Sequence, residues 1–366
     1  MKILNKEDII DIVWGSAFFS GGGGGSISNA MMLLGELPPE QMTLKLCGLE
    51  EMDNDPDTLA VMIAALGSPL ATEDETFSSE SVAAVEAAIK EARLRGKNLK
   101  YLYSGEQGGA NTMLALYVAM KLNMPLLDVD ANGRAVPELY TTLAALYGVP
   151  TSPVILSSAQ GDTITIRCAS NQDAAMCEDI ARDLCGVTPP GLGFTAWPMN
   201  RQQISQTLCV GQISRAHEIG HVIRNLNGED VRTAIFRCFD RFDIYEYAEG
   251  KIVEITNHTE HGFDFGELRI QNNVGRTWRV KYQNENLLVM DENDQVTLTV
   301  PDIITVVEKE TGRPLSNTET KLQQDIYVLG FKANAKWDTE IGYRCWKDSL
   351  HDAGYDGPRH PVQILD

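Results

Sequence analysis

The chain has 366 residues, and its 31 Lys and Arg against 51 Asp and Glu leave a formal net charge of −20 at pH 7. Nucleic acids and anionic membranes are held mainly by Lys and Arg neutralising phosphates, so neither is expected as a partner. Hydrophobic residues at 43% and charged residues at 22% match ordinary globular usage, so the acidity lies over a normal core and a soluble, packed fold is expected.

Single cores stop growing near about 250–300 residues, which predicts two domains. The opening MKILNKEDIIDIVWGSAFF carries Glu7, Asp8 and Asp11 where a signal peptide is basic or apolar, and no run approaches the ~18 apolar residues of a membrane span. A cytoplasmic, unprocessed protein is expected. Cysteines at 47, 168, 177, 185, 209, 238 and 345 form no C-x-x-C pair, which fits neither a disulfide framework nor a zinc ribbon. They read as small buried hydrophobes in a reducing compartment.

In chain order, Ile9, Ile10, Ile12 and Val13 give a short helical pattern that stops at Gly15. Five consecutive glycines, Gly21 to Gly25, lead into the N-cap residues Ser26 to Asn29 and a helix through Ala30 to Leu34. Residues 43–49 and 59–66 read as strands, and Ser79 to Arg95 as a long amphipathic helix closed by Gly96. A strand at Leu99 to Tyr103, a turn at Ser104 to Asn111, a helix at Thr112 to Leu122 and a strand at Pro125 to Val129 describe a βαβ unit, so the first half is α/β with parallel strands. Residues 154–156 and 163–167 pair as a hairpin across Ala159 to Asp162, and Asp173 to Leu184 is helical. The break Pro189-Pro-Gly-Leu-Gly193 places the domain transition between about 165 and 195. The expected domains are 1–170, α/β, and 171–366, which opens with helices including Ser214 to Leu226. Its β-rich stretch at about 232–307 has runs at 242–247, 251–255, 267–270, 277–282, 287–290 and 296–300, which predict a mostly antiparallel sandwich or barrel.

Three groups of residues could carry chemistry. A glycine loop feeding a helix start lets backbone N–H groups of Gly22, Gly23, Gly24 and Gly25 approach a carbonyl or an anion. No Gly-Lys-Ser/Thr follows, so no nucleotide is implied, and the spacing of a dinucleotide fingerprint is also absent. The βαβ turn, with Glu106, Gly109 and Asn111, lies beyond the carboxyl end of a parallel strand, where active residues of α/β folds collect. The strand after it ends in Asp128-Val-Asp130 and continues to Arg134 and Glu138, so these side chains could share one crevice. Asp128 and Asp130 read either as turn-capping acids or, with Glu138, as a general base or hard-metal ligands, and a divalent cation is left open. Third, His217-Glu-Ile-Gly-His221 matches H-E-x-x-H, which in zincins aligns two imidazoles on one helix face, although Gly220 weakens the helix and no third ligand follows at metzincin spacing. His258 and His261 bracket a turn that reads as a surface loop.

Several of these segments together resemble the S-methyl thiohydantoin desulfurase-like family. They are the glycine run with its helix, Gly105 to Asn111, the string Asp128-Val-Asp-Ala-Asn-Gly-Arg-Ala-Val-Pro-Glu-Leu139, Gln212 to Ala216, Tyr282-Gln-Asn-Glu285 and Pro301-Asp-Ile303. The resemblance implies an N-terminal α/β domain, a β-rich C-terminal domain and an association with hydantoin-type ring metabolism. The namesake reaction is hydrolytic loss of methanethiol from an S-methylated thiohydantoin. The family's glycines usually run into Asp-Pro, whereas this chain has Ser26-Ile-Ser28. On this reading the glycine backbone binds a ring carbonyl, Asp128 or Asp130 activates water, and Arg134, Glu106 and Asn111 orient a small cyclic amide. The alternative is a non-catalytic binding or accessory subunit beside a hydantoinase-like partner, and a homo-oligomer is left open.

Overall fold

The structure is a computed structural model, and it describes residues 1–67, 76–170, 173–226, 230–234, 244–260 and 263–363. Cys238, His261 and the start of the strand expected at 242 lie outside these residues.

The first sheet has nine strands: β1 (Lys2–Leu4), β2 (Leu44–Cys47), β3 (Thr58–Leu66), β4 (Asn98–Ser104), β5 (Leu126–Asp130), β6 (Val154–Ser157), β7 (Thr163–Ile166), β8 (Leu192–Met199) and β9 (Cys209–Val210). They lie in the order β1-β2-β5-β4-β3-β8-β6-β7, with β9 beside β5. Strands β2, β5, β4 and β3 are parallel, and the remaining pairings are antiparallel. The helices of this half are α1 (Lys6–Phe19), α2 (Ile27–Gly35), α3 (Ser78–Leu94), α4 (Gly109–Lys121), α5 (Leu143–Leu146), α6 (Ala174–Cys185), α7 (Arg201–Thr207) and α8 (Gln212–Arg224).

The expected βαβ unit is β4-α4-β5, and β3-α3-β4 is a second one. Helices α1 to α4 and α8 share one apolar cluster on one face of the sheet, and residues of α5, α6 and α7 share another on the opposite face. Strand β3 serves both, sending Val61 and Ile63 to the first and Ala60 and Met62 to the second. A strand covered on both faces reads as a continuous apolar run, which is how residues 59–66 read. Strand β8 pairs with β3 and β6, so the first sheet continues past the Pro189-to-Gly193 break.

The second sheet is wholly antiparallel, in the order β14-β13-β12-β11-β10-β17-β15-β16. Its strands are β10 (Ile244–Glu260), β11 (Phe263–Gln271), β12 (Thr277–Gln283), β13 (Glu285–Met290), β14 (Val296–Thr299), β15 (Ile303–Glu308), β16 (Pro314–Leu315) and β17 (Asp325–Phe331). The molecule is thus an N-terminal α/β domain with a mixed sheet and a C-terminal antiparallel-sheet domain. Two runs that read as separate strands are the one strand β10, which passes through Gly250 with register shifts on either side. A Cβ at Gly250 would stand 2.5 Å from the Gln271 carbonyl oxygen, so the glycine serves a close approach rather than a turn. Among the described residues no helix is long and apolar enough to cross a membrane.

Helix α1 also runs past its expected stop. An N-cap at Asn5, whose side chain accepts from the Glu7 and Asp8 amides, starts it, and it continues through Gly15 to Phe19. Gly15 is a packing surface: a Cβ there would lie 1.8 Å from the Ala216 carbonyl oxygen of α8. Gly220 answers it from α8, where a Cβ would lie 1.8 Å from the Asp11 carbonyl oxygen. Gly→Ala inside an exposed helix gains roughly 1 kcal/mol. Here backbone meets backbone, so Gly220→Ala should instead cost about 3 kcal/mol, read as a lower urea midpoint at unchanged slope. A stabilised variant would show that the helices are not in this contact.

Candidate functional site

The glycine loop begins where α1 ends. Ser20 accepts a hydrogen bond from the Gly22 amide at 3.1 Å, and Gly21, Gly22, Gly24 and Gly25 have φ of 78, 92, 68 and 75°, a region that L side chains rarely adopt. The loop's carbonyls are tied on both sides. Gly21 accepts from the Asn286 amide (2.7 Å) and Gly22 from the Asn317 amide (2.9 Å) of the second domain, while Gly24 accepts from the Asn111 amide (3.1 Å) in the first turn of α4. Space is as restrictive as conformation: a Cβ on Gly23 would lie 2.1 Å from Glu285 Oε1, and one on Gly24 2.6 Å from the Gln107 carbonyl oxygen. The amides of Gly23, Gly24 and Gly25 make no hydrogen bond to another described residue. Gly22 to Gly25 line a cavity of about 230 Å³.

That cavity lies beyond the carboxyl ends of β3, β4 and β5, where an α/β sheet collects its ligands. Glu106 and Asn111 come from the β4–α4 turn, Glu138 from the segment after β5, Glu178 and Arg182 from α6. The second domain closes it with Asn284, Glu285 and Asn317. The described lining contains no cysteine, histidine or lysine, and burial pushes the phenol of Tyr282 up to about 12, so carboxyl groups are the proton-transfer groups that titrate near neutral pH.

Three of them stand out. Glu106 accepts from the Asn111 side-chain amide and, at 2.9 Å, from the Val136 N–H. Burial pushes its carboxyl up to about 7 against those two donors, with Asp130 adding to the rise and Arg134 opposing it. Glu138 is also lifted to about 7 by burial, with Glu178 adding and Tyr140 and Arg182 opposing, and its buried Oε2 has no hydrogen-bond partner among the described residues. Glu285 opens β13 and is 3% exposed. Burial and then Glu106 hold its carboxyl well above the usual range against Arg134, and its Oε2 too lacks a described partner.

Of the residues expected from sequence, the structure brings Gly22 to Gly25, Glu106, Asn111 and Glu138 around one cavity. Asp128, Asp130, Arg134 and Gly109 stand behind its wall. Asp128 accepts from the Ser214 amide (2.9 Å) and hydroxyl (2.6 Å), and so caps the positive end of α8. Asp130 accepts from the Asn132 (3.0 Å) and Gly133 (2.6 Å) amides and holds the turn after β5; burial, opposed by these amides, lifts it to about 6. Arg134 is fully buried, donates to the carbonyls of Ala135, Pro301 and Asp302, and lies 4.4 Å over the Trp346 ring. Burial lowers it to about 10, so it stays cationic at neutral pH. A Cβ on Gly109 would lie 2.7 Å from the Ser26 backbone, so that glycine serves helix placement. As a metal set, Asp128, Asp130 and Glu138 do not converge. Asp128 is spent on the Ser214 amide and hydroxyl, whereas Asp130 holds the turn amides through Oδ1 and keeps a buried Oδ2 without a described partner; neither lines the cavity with Glu138.

His217 and His221 lie on α8 against α1, with His217 Nε2 3.2 Å from Asp8 and His221 Nδ1 2.7 Å from Asp11. Arg224 donates to the same Asp11, so the H-E-x-x-H spacing here serves a helix–helix contact. Among the described residues no group of three or more His, Cys, Asp or Glu is arranged to hold a metal ion. Sequence reasoning missed Glu285 as a site residue. Its signal is the Tyr282-Gln-Asn-Glu285 string, a polar junction where β12 turns straight into β13 through Asn284 in the left-handed region, φ 55°.

Comparison with known proteins agrees with this architecture. The family model described as the S-Me-THD-like N-terminal domain matches residues 7–168, and that described as the S-Me-THD-like C-terminal domain matches residues 171–356. No protein of curated function matches the sequence. The X-ray structure of a protein from Chromobacterium violaceum, a structural-genomics target, superposes with a TM-score of 0.85 over 99% of this chain and 100% of that one. At 24% identity that likeness is one of fold. The two matched models together span nearly the whole chain, and the protein belongs to the S-Me-THD-like family.

Proposed function

We propose that the interdomain cavity binds a neutral cyclic amide of the hydantoin or thiohydantoin type and hydrolyses it. The observation that carries this reading is the pairing of unengaged glycine amides with raised-pKa carboxyl groups around one small cavity. A neutral ring suits a described lining rich in carboxyls, whose one cation among the described residues, Arg182, is bound twice by Glu178. Glu106 accepts from a ring N–H, with Asn111 fixing its orientation. The amides of Gly23 to Gly25 face the ring carbonyl or a developing oxyanion, which preorganised donors stabilise most. Glu138 takes a proton from water, a role that suits it over Asp128 and Asp130 because it lines the cavity and they do not. For an S-methylated thiohydantoin the water oxygen bonds to the ring carbon that carries sulfur. The carbon–sulfur bond then breaks, and one water proton ends on ring nitrogen and the other on methanethiol.

The test is a panel of hydantoins, S-methyl thiohydantoins and other cyclic amides, assayed for free thiol and ring-opened product. Glu138→Gln should lower kcat by roughly 10²–10⁴-fold, the usual worth of a general base. Because Glu138 acts ionised, kcat/KM should fall as pH drops below about 7. Ligand-induced thermal stabilisation without product from any ring would identify a non-catalytic binder instead. Gly23→Ala should raise the dissociation constant of any ring that binds, since the added methyl displaces Glu285.

The same acids set a pH dependence of stability. The folded-state pKa values of Glu106, Glu138 and Glu285 all lie above the ordinary carboxylate value, so between about 4.5 and 7 the folded state binds more protons than the unfolded chain. This contribution to stability is therefore present at low pH and lost as pH rises through the folded values. Urea midpoints should fall from pH 5 to pH 8, and Glu138→Gln should flatten the change.

A further inference from the structure

We propose that Glu285 is a catalytic residue of this site, held as the neutral carboxylic acid, and that it donates its proton to the ring nitrogen as water adds. The inference rests on the hydrolytic reading above and names the acid that the reading lacks.

Position comes first. Glu285 is the carboxyl that the second domain sets against the glycine loop: its Oε1 occupies the space that a Gly23 side chain would fill, and its Oε2 is buried without a described partner. An ionised carboxylate with an unsolvated oxygen is costly, whereas the neutral acid in the same place needs only an acceptor for its one proton. A bound ring nitrogen supplies that acceptor.

The charged groups facing Glu285 decide where the proton resides. Glu106 and Glu138 repel a negative charge on it, and Arg134 favours one. Arg134 donates to the Pro301 and Asp302 carbonyls and stacks on Trp346, and its Nη2 is buried without a described partner; its charge opposes the rise of Glu285 but does not cancel that from burial. Glu106 differs from Glu285 in having both oxygens accept hydrogen bonds, from Asn111 and from Val136, which suits the carboxylate. Of two neighbouring carboxyls in unlike surroundings, one is then base-like and the other acid-like.

The chemistry balances with two carboxyls. Glu138 takes one proton from water, the hydroxyl oxygen bonds to the sulfur-bearing ring carbon, and the carbon–nitrogen π pair moves onto nitrogen, which takes the proton of Glu285. In the collapse the hydroxyl proton passes to Glu285 as the carbonyl forms. The carbon–sulfur bond breaks with its electron pair on sulfur, and sulfur takes the proton held by Glu138. Both side chains return to their starting states, and the products are the hydantoin and methanethiol.

The test reads the proton and the turnover separately. Infrared difference spectra of wild type against Glu285→Gln at pH 7 should show a protonated-carboxyl carbonyl band in the wild type that the variant lacks. Glu285→Gln should lower kcat by roughly 10²–10⁴-fold with KM little changed, and should lose the alkaline limb of the pH profile while keeping the acid limb set by Glu138. Glu285→Asp, which keeps the acid, should retain the band and part of the turnover, and it serves as the second variant should the amide not fold. A missing band in the wild type, or wild-type kcat in Glu285→Gln, overturns the inference while leaving the hydrolytic reading standing. A wild-type protein that turns over no ring in the panel overturns that reading, and the catalytic role with it.

Discussion

The site depends on a stretch of backbone that passes between two domains with no side chains of its own. Four glycines with positive φ let the chain bend where other residues would be strained, and Gly23 lets the Glu285 carboxyl lie against the loop. The consequence is reciprocal. The second domain donates the Asn286 and Asn317 amides to the loop carbonyls, and the first donates that of Asn111, so the loop is a fixed seam between the domains. With the carbonyls of Gly21, Gly22 and Gly24 engaged on either side, the amides of Gly23 to Gly25 stand beside the cavity without a described partner. Preorganised donors of this kind are effective because they need no rearrangement when charge develops.

Around that seam the molecule gathers acids that water would otherwise keep apart. Burial is the largest cause of the rise at Glu106, Glu138 and Glu285, and Glu106 and Glu138 add to that of Glu285 through like charge. The cost is partly offset by fixed donors: the Val136 amide and the Asn111 side chain at Glu106, and the guanidinium of Arg134 behind the wall. Arg134 is conspicuous in sequence. It reads as a substrate clamp because it sits among acids, yet its hydrogen bonds reach carbonyls of the second domain. Its charge acts on the cavity from a distance, and its hydrogen bonds hold the domains together.

What was legible in the sequence follows contact range. The β4-α4-β5 unit was readable because a strand, a turn and an amphipathic helix carry their own periodicities within about 30 residues. Glu106, Asn111 and Glu138 were readable for the same reason, since the rule that placed them concerns local chain direction. Glu285 was quoted within a motif yet not chosen, because what makes it a site residue is contact with Gly23, which lies far away in sequence. The same limit explains the strands. β17 lies beyond the region read as β-rich and finds its partners in β10 and β15, with no hairpin turn to announce it. Glycine misled twice in one way: Gly15 and Gly250 resemble stops locally, and both are sites of close backbone approach.

The residues that left the cavity account for how its halves are held in register. Strand β5 ends in two acids that diverge. Asp128 caps α8, which packs through Gly220 and the His217 and His221 contacts onto α1, and α1 delivers the chain into the glycine loop. Asp130 instead holds the turn that leads through Arg134 to Glu138. Both the glycine loop and Glu138 are thus suspended from one strand end by two neighbouring acids. A change at Asp128 would reach the glycine loop through two helices, and a change at Asp130 would reach Glu138 through eight residues of chain. Either would disturb the cavity without lining it, so under the proposed function a loss on replacing them marks positioning residues unless binding and proton transfer are measured separately.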